Sequence, residues 1–162
     1  MKLGGVIVPL ATPLTRDRAP DLAAFRRLLS HLLQAGVHGI FANGSMGAFA
    51  LMSDAGQCAV VEAAAEHVPA GVPLLAGVSD TGLNRVLEKI RRFDRPGVDA
   101  FVALPPFYYS CQQRELLRFF LTLADAAPNL WSFTTTRAWR GTPSPSRRLC
   151  NSRDIRIFAA LR

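Results

Sequence analysis

The sequence predicts an α/β fold in which a parallel sheet alternates with covering helices. Across residues 1–128, four short apolar runs alternate with four longer segments of helical periodicity. The apolar runs are continuous rather than alternating in polarity, as expected of strands covered on both faces. Gly36, Pro69, Gly71 and Pro128 punctuate the ends of helical segments. With 162 residues, 49% of them hydrophobic, the chain can bury a core without disulfide or metal staples.

The elements follow in order. Gly5-Val6-Ile7-Val8-Pro9-Leu10-Ala11 reads as a buried strand. Asp21 to Ala35 reads as an amphipathic helix, with Asp21 near its start, Leu22, Phe25, Leu28, Leu29, Leu32 and Leu33 at helical spacing, and Gly36 as its stop. Val37 to Ala42 is a second strand, followed by a glycine-rich turn. Ser53 is placed to cap a helix running to His67. Val72 to Ala76 is a third strand, Thr81 to Phe93 a third helix, Val98 to Leu104 a fourth strand and Gln112 to Ala127 a fourth helix. A doubly wound sheet and half of a (β/α)8 barrel both fit this rhythm. After Leu130 the pattern fails: Trp131 to Arg137 reads as at most a brief strand, Thr142 to Arg148 as a loop, and only Ile155 to Leu161 is apolar again.

Composition excludes several classes. A mean hydropathy of +0.17 is not that of a disordered chain. No run approaches the roughly 18 apolar residues of a membrane span. Met1 to Gly5 leads into the first strand with no signal-peptide core, and a membrane partner is not expected. Cys58, Cys111 and Cys150 are odd in number and far apart, which argues against a disulfide framework or a metal cluster and points to a reduced, cytoplasmic setting. No cofactor motif is present: Ala11-Thr12-Pro13-Leu14 stands where a dinucleotide-binding fold needs its glycine-rich turn. The net charge of +7 is lopsided. Residues 1–128 carry 12 Lys+Arg against 11 Asp+Glu, whereas residues 129–162 carry 7 Arg against the single acid Asp154. One reading of that asymmetry is an α/β binding module with a basic nucleic-acid-binding tail.

In parallel α/β folds, function gathers at the C-terminal ends of strands. Four motifs stand there: Ala11-Thr12-Pro13-Leu14, Asn43-Gly44-Ser45-Met46-Gly47-Ala48, Gly77-Val78-Ser79-Asp80 and Pro105-Pro106-Phe107-Tyr108-Tyr109. In the second, Gly44 and Gly47 let backbone N–H groups approach an anion, and Ser45 adds a hydroxyl donor. Alone, this loop reads as a structural turn and the tyrosine pair as rim aromatics. All four motifs in order at successive strand ends are far more specific.

Together these residues resemble the dihydrodipicolinate synthase / N-acetylneuraminate lyase family of class I aldolases over residues 3 to about 128, nearly four-fifths of the chain. The resemblance rests on Thr12-Pro13, Gly44-Ser45-x-Gly47, Ala76-Gly77 and Pro106-Phe107-Tyr108-Tyr109. It implies the N-terminal half of a (β/α)8 TIM barrel, a homotetramer, and a Schiff base between a lysine and a small 2-oxo acid such as pyruvate, with no cofactor. By position it implies that Ser45, with Gly44, Met46 and Gly47, grips the keto-acid carboxylate, that Thr12 supports the site, and that Tyr108 joins a proton relay across a subunit interface. Met46 replaces a second hydroxyl and Ala48 an acid, which weighs against dihydrodipicolinate synthesis proper and toward another aldolase, lyase or hydratase.

The family also requires a tyrosine after strand five and the Schiff-base lysine after strand six. No tyrosine follows Tyr109 and no lysine follows Lys89. Arginine is no substitute, because its guanidinium stays protonated. Regrouping the bases from Trp131 by one position permits V-L-Y-N-N-P-R-L-A-G and, at its end, N-I-R-G-I-K, which looks like the family's fifth and sixth strands. Residues 1–128 are therefore expected to be a partial aldolase domain, and residues 129–162 a non-native, frameshifted or disordered tail. The chain as written is expected to be inactive. Lys2 precedes strand one, and Lys89 is expected on the outer helical layer in no buried setting.

Overall fold

A computed structural model describes residues 3–127 and the backbone of two further strands, Leu130–Phe133 and Arg156–Phe158. The elements are β1 (Ile7–Pro9), α1 (Leu22–Gln34), β2 (Gly39–Ala42), α2 (Asp54–His67), β3 (Leu74–Gly77), α3 (Leu83–Phe93), β4 (Ala100–Ala103), α4 (Gln113–Ala126), β5 (Leu130–Phe133) and β6 (Arg156–Phe158). The chain divides into two compact units, residues 1–77 with 92–100, and residues 78–91 with 101–162.

In the first unit the strands run parallel in chain order. Ile7 pairs with Gly39 and Pro9 with Phe41, then Ile40 with Leu74 and Ala42 with Ala76. Parallel strands need a crossover, and the helices supply it. Helix α1 forms because its leucines recur every three or four positions. Phe25 and Leu29 are fully buried against Leu10, Ile40, Ala42, Val60, Ala64 and Leu74. Asp21 Oδ1 accepts from Ala24 N–H at 2.9 Å and so caps the first turn. The helix stops at Gly36, whose φ of +75° allows Gly36 N–H to bond Leu33 O and Val37 N–H to bond Leu32 O, a Schellman closure. Helix α2 starts where Ser53 Oγ accepts from Gly56 N–H at 3.1 Å, and it ends just before Pro69.

In the second unit β4, β5 and β6 are parallel in chain order, with Phe101 opposite Leu130 and Trp131 opposite Arg156. Helix α4 opens with Glu115 Oε2 accepting from Gln112 N–H at 2.6 Å, one arm of a capping box. It buries Leu116, Phe119, Phe120 and Leu123, and the rings of Phe119 and Phe120 meet edge to face at 5.1 Å.

All four helices and four strands expected in residues 1–128 are present. The strands are shorter than their apolar runs because the flanking residues turn into loops. The stretch expected to be irregular contributes β5 and β6, at the two places where its apolar residues cluster. The rest of residues 129–162, with the boundary expected at 128, lies outside the described residues. Among the described residues no helix is long and apolar enough to cross a membrane.

Replacing Asp21 or Ser53 with Ala removes a cap, and each change is expected to lower stability by about 1 kcal/mol. The measurement is a lowered urea midpoint at unchanged slope.

Candidate active site at the strand ends

The first unit carries the first two motifs and Gly77, the opening residue of the third, on one edge, because parallel pairing aligns the C-terminal ends of β1, β2 and β3. Beyond β2, Asn43 adopts a left-handed conformation (φ 58°), which asparagine tolerates better than most residues. Residues Ser45–Gly47 then form a single 3₁₀ turn, with Gly47 N–H donating to Gly44 O at 2.9 Å and Ala48 N–H to Ser45 O at 3.1 Å. Ala48 is left-handed too (φ 54°) and opens a second turn, Phe49–Leu51. Ser45 and Met46 face solvent, Met46 being 66% exposed, while Gly47 is buried.

Glycine is required where this loop meets its neighbours. A Cβ on Gly47 would lie 3.0 Å from Leu10 O and 3.2 Å from Thr12 Oγ1, and one on Gly77 would collide with the Asn43 carbonyl. Thr12 is buried at the end of β1. Its Oγ1 and the Oδ1 of Asn43 have no hydrogen-bond partner.

A buried amide network braces the same loop. Asn43 Nδ2 donates to Gly77 O at 2.7 Å and to Gln57 Oε1 at 3.3 Å. Gln57 Nε2 donates to Phe49 O at 3.0 Å and Met52 O at 3.3 Å.

The second unit carries Val78, Ser79 and Asp80 of the third motif and the whole of the fourth. Tyr108 follows β4 with a φ of 114°, is 77% exposed, and meets the Tyr109 ring edge to face at 4.8 Å. A polar cluster lies beside β4. Ser79 Oγ accepts from Leu104 N–H at 3.0 Å, and Lys89 Nζ donates to Asp80 Oδ2 at 2.8 Å and Ser79 O at 3.2 Å. Arg85 Nε adds a bond of 2.8 Å to Asp80 Oδ1. Burial pushes the Asp80 carboxyl up, but hydrogen bonds from Arg85, Lys89 and Thr81 N–H outweigh it and hold it well below the usual carboxylate range. Cys58 and Cys111 are free thiols, both pushed up chiefly by burial, so neither has the thiolate character of a nucleophile. Cys150 lies outside the described residues. Among those residues no group of His, Cys, Asp or Glu is placed to hold a metal ion.

Residues 2–132 match the Dihydrodipicolinate synthetase family. The chain belongs to that family. It is 30% identical to YagE of Escherichia coli K12 over 153 residues, which is 93% of this chain and 51% of that protein. It is 38% identical to a 4-hydroxy-tetrahydrodipicolinate synthase of Xanthomonas axonopodis pv. citri over 125 residues, 77% of this chain and 41% of the relative. The chain therefore spans about half the length of these relatives. The crystal structure of YagE, a prophage protein of this family in complex with pyruvate, superposes with a TM-score of 0.79 at 28% identity, covering 86% of this chain and 47% of YagE. CdNal from Clostridium difficile, solved in complex with mannosamine, covers all of this chain and 58% of its own at TM-score 0.90; its 21% identity bears on the fold alone. The parallel sheet with alternating helices is the N-terminal half of a TIM barrel.

Sequence reasoning placed the dihydrodipicolinate synthetase motifs at strand ends, and there they lie: Thr12, Gly44, Ser45, Met46 and Gly47 share one edge of the first unit, and Tyr108 follows β4 in the second. It gave Asn43, a member of the second motif, no role of its own, and it missed Gln57. It also misplaced Lys89, which is 5% exposed and ion-paired, not on an open outer layer. The signal was available: Val86, Lys89, Ile90 and Phe93 fall at i, i+3, i+4 and i+7, so Lys89 shares the buried stripe of its helix. Lys2 lies outside the described residues.

Asp80 gives the fold an acid-sensitive element. Its native carboxyl is depressed, so its contribution is present above the unfolded value, about 3.9, and fades as pH falls toward the native value. Stability by urea titration is expected to drop between about pH 5 and pH 2, with a flatter profile in Asp80→Asn. Asp80→Ala leaves the buried Lys89 ammonium without its counter-charge and is expected to cost about 3 kcal/mol at pH 7.

Proposed function

We propose that residues 1–128 form the carboxylate-gripping half of a Schiff-base-forming class I aldolase or lyase acting on pyruvate or a related 2-oxo acid. The observation that carries this reading is the 3₁₀ turn presenting Ser45 beyond β2, in a chain 28% identical to a relative solved with pyruvate. Ser45 Oγ and the amides at the head of its turn donate to the substrate carboxylate. Thr12 supports the turn from β1, and Tyr108 relays a proton. Met46 offers an apolar, non-donating surface where a hydroxyl would pass a proton, and Ala48 adds no acid. Both favour aldol cleavage, condensation or dehydration of a substrate other than that of dihydrodipicolinate synthesis. The reading brings with it a homotetramer and a cytoplasmic setting.

The same reading makes the chain as written unable to complete the reaction. An imine needs an uncharged amine at the barrel mouth. Lys89 points its N–H groups at Asp80 and Ser79 O, inside the second unit, and no lysine follows it. We ascribe residues 129–162 to a shifted reading frame, because the regrouped codons permit both a tyrosine and a terminal Ile-Lys and remove most of the arginines. Incubated with pyruvate and borohydride, the 162-residue chain is expected to gain no adduct by intact mass spectrometry. The frame-corrected product is expected to gain one pyruvyl group per chain, on lysine. A stoichiometric adduct on the 162-residue chain would overturn this account. Resequencing across codons 125 to 135 tests the frame directly.

A further inference from the structure

The turn that presents Ser45 is gripped from outside by one side chain. Gln57 projects from the first turns of α2 and is 4% exposed; Asn43, its partner, is 1% exposed. Through Oε1, Gln57 accepts from the residue that immediately precedes Gly44. Through Nε2 it donates to the carbonyls of Phe49 and Met52, on the far side of the same loop. Those bonds fall beside the two left-handed residues that bracket the turn, Asn43 and Ala48. For alanine this conformation is uncommon, and it persists where its surroundings over-determine it. A buried amide that loses its partners is costly, so every loop conformation that moves Phe49 or Asn43 away leaves Gln57 unsatisfied.

We propose that Gln57 is the positioning residue of the Gly44–Gly47 turn. It fixes the distance between the two ends of the loop, and with it the place of the Ser45 hydroxyl. Asn43 passes the constraint on to β3 through Gly77 O. That the positioned group meets a keto-acid carboxylate rests on the function proposed above; that Gln57 positions the turn does not.

The test is amide hydrogen exchange by NMR on the 162-residue chain and on Gln57→Met, which keeps the length of the side chain and removes its polar atoms. The Gly47 and Ala48 amides, bonded to Gly44 O and Ser45 O within the turn, are expected to exchange at least about tenfold faster in the variant. Those of Ile40 and Asp99, bonded to Pro73 O and Leu74 O in the sheet, are expected to change less than about twofold. Equal acceleration at both places would reduce Gln57 to a general stabiliser and overturn the proposal, as would no acceleration in the loop. Should Gln57→Met fail to fold, the unmodified chain still decides: the Gln57 side-chain amide protons are expected to exchange at least about tenfold more slowly than those of exposed Gln34, and equal rates would overturn it. Titrating pyruvate into both proteins separates the two readings. Loss of Ser45 and Met46 amide shifts in the variant alone joins them. No shifts in the unmodified chain, with the loop still loosened in the variant, removes the keto-acid reading and leaves the positioning role standing.

Discussion

Much of the edge of the first unit that carries Ser45 depends on how closely the Asn43 carbonyl approaches Gly77. No side chain fits between them, so β2 and β3 end at a separation that only glycine permits. That approach lets Asn43 Nδ2 reach Gly77 O at 2.7 Å, and the remaining donor of the amide turns toward Gln57. Loop, helix and strand are thereby tied through side-chain amides rather than through the backbone ladder. The arrangement suits a binding loop. Its tip is exposed, while its two ends are buried and hydrogen-bonded.

The second unit solves a different problem. It carries Lys89 in its interior, and a buried ammonium is tolerated only when paired and hydrogen-bonded. Asp80 supplies the charge, Ser79 O a further acceptor, and Arg85 holds the other carboxylate oxygen from the surface side. The result is a lysine committed to structure. Burial alone is no sign of reactivity in a lysine; what surrounds the nitrogen decides.

The helices were legible in the sequence because they rest on local rules. A leucine every three or four residues, Asp21 and Ser53 as caps, and Gly36 as a left-handed stop all act within a few residues of one another. The strands were legible as apolar runs but not in their limits, since pairing depends on a neighbour a crossover away. The Gly44–Gly47 loop was visible from its glycines. Its supports were not: Asn43 meets residues 14 and 34 positions further along the chain, and no periodicity announces such bonds. Lys89 was the instructive error. A charged residue is read as solvent-facing by default, and here it falls on the apolar stripe because Asp80 awaits it.

The parallel strand order has a consequence for how the chain acquires its shape. Residue 7 pairs with residue 39, and residue 40 with residue 74, so each ladder in the first unit joins segments roughly thirty positions apart. No hairpin is available to start the process. Each pairing must wait for a loop of that length to close, or for its helix to shorten it, and topologies of this kind fold slowly. The bonds from Gln57 to Phe49 and Met52 span only a few residues, whereas that from Asn43 to Gly77 O spans 34. The bond from Asn43 Nδ2 to Gly77 O, which ties the Ser45 turn to β3, is one that only this closed sheet can make.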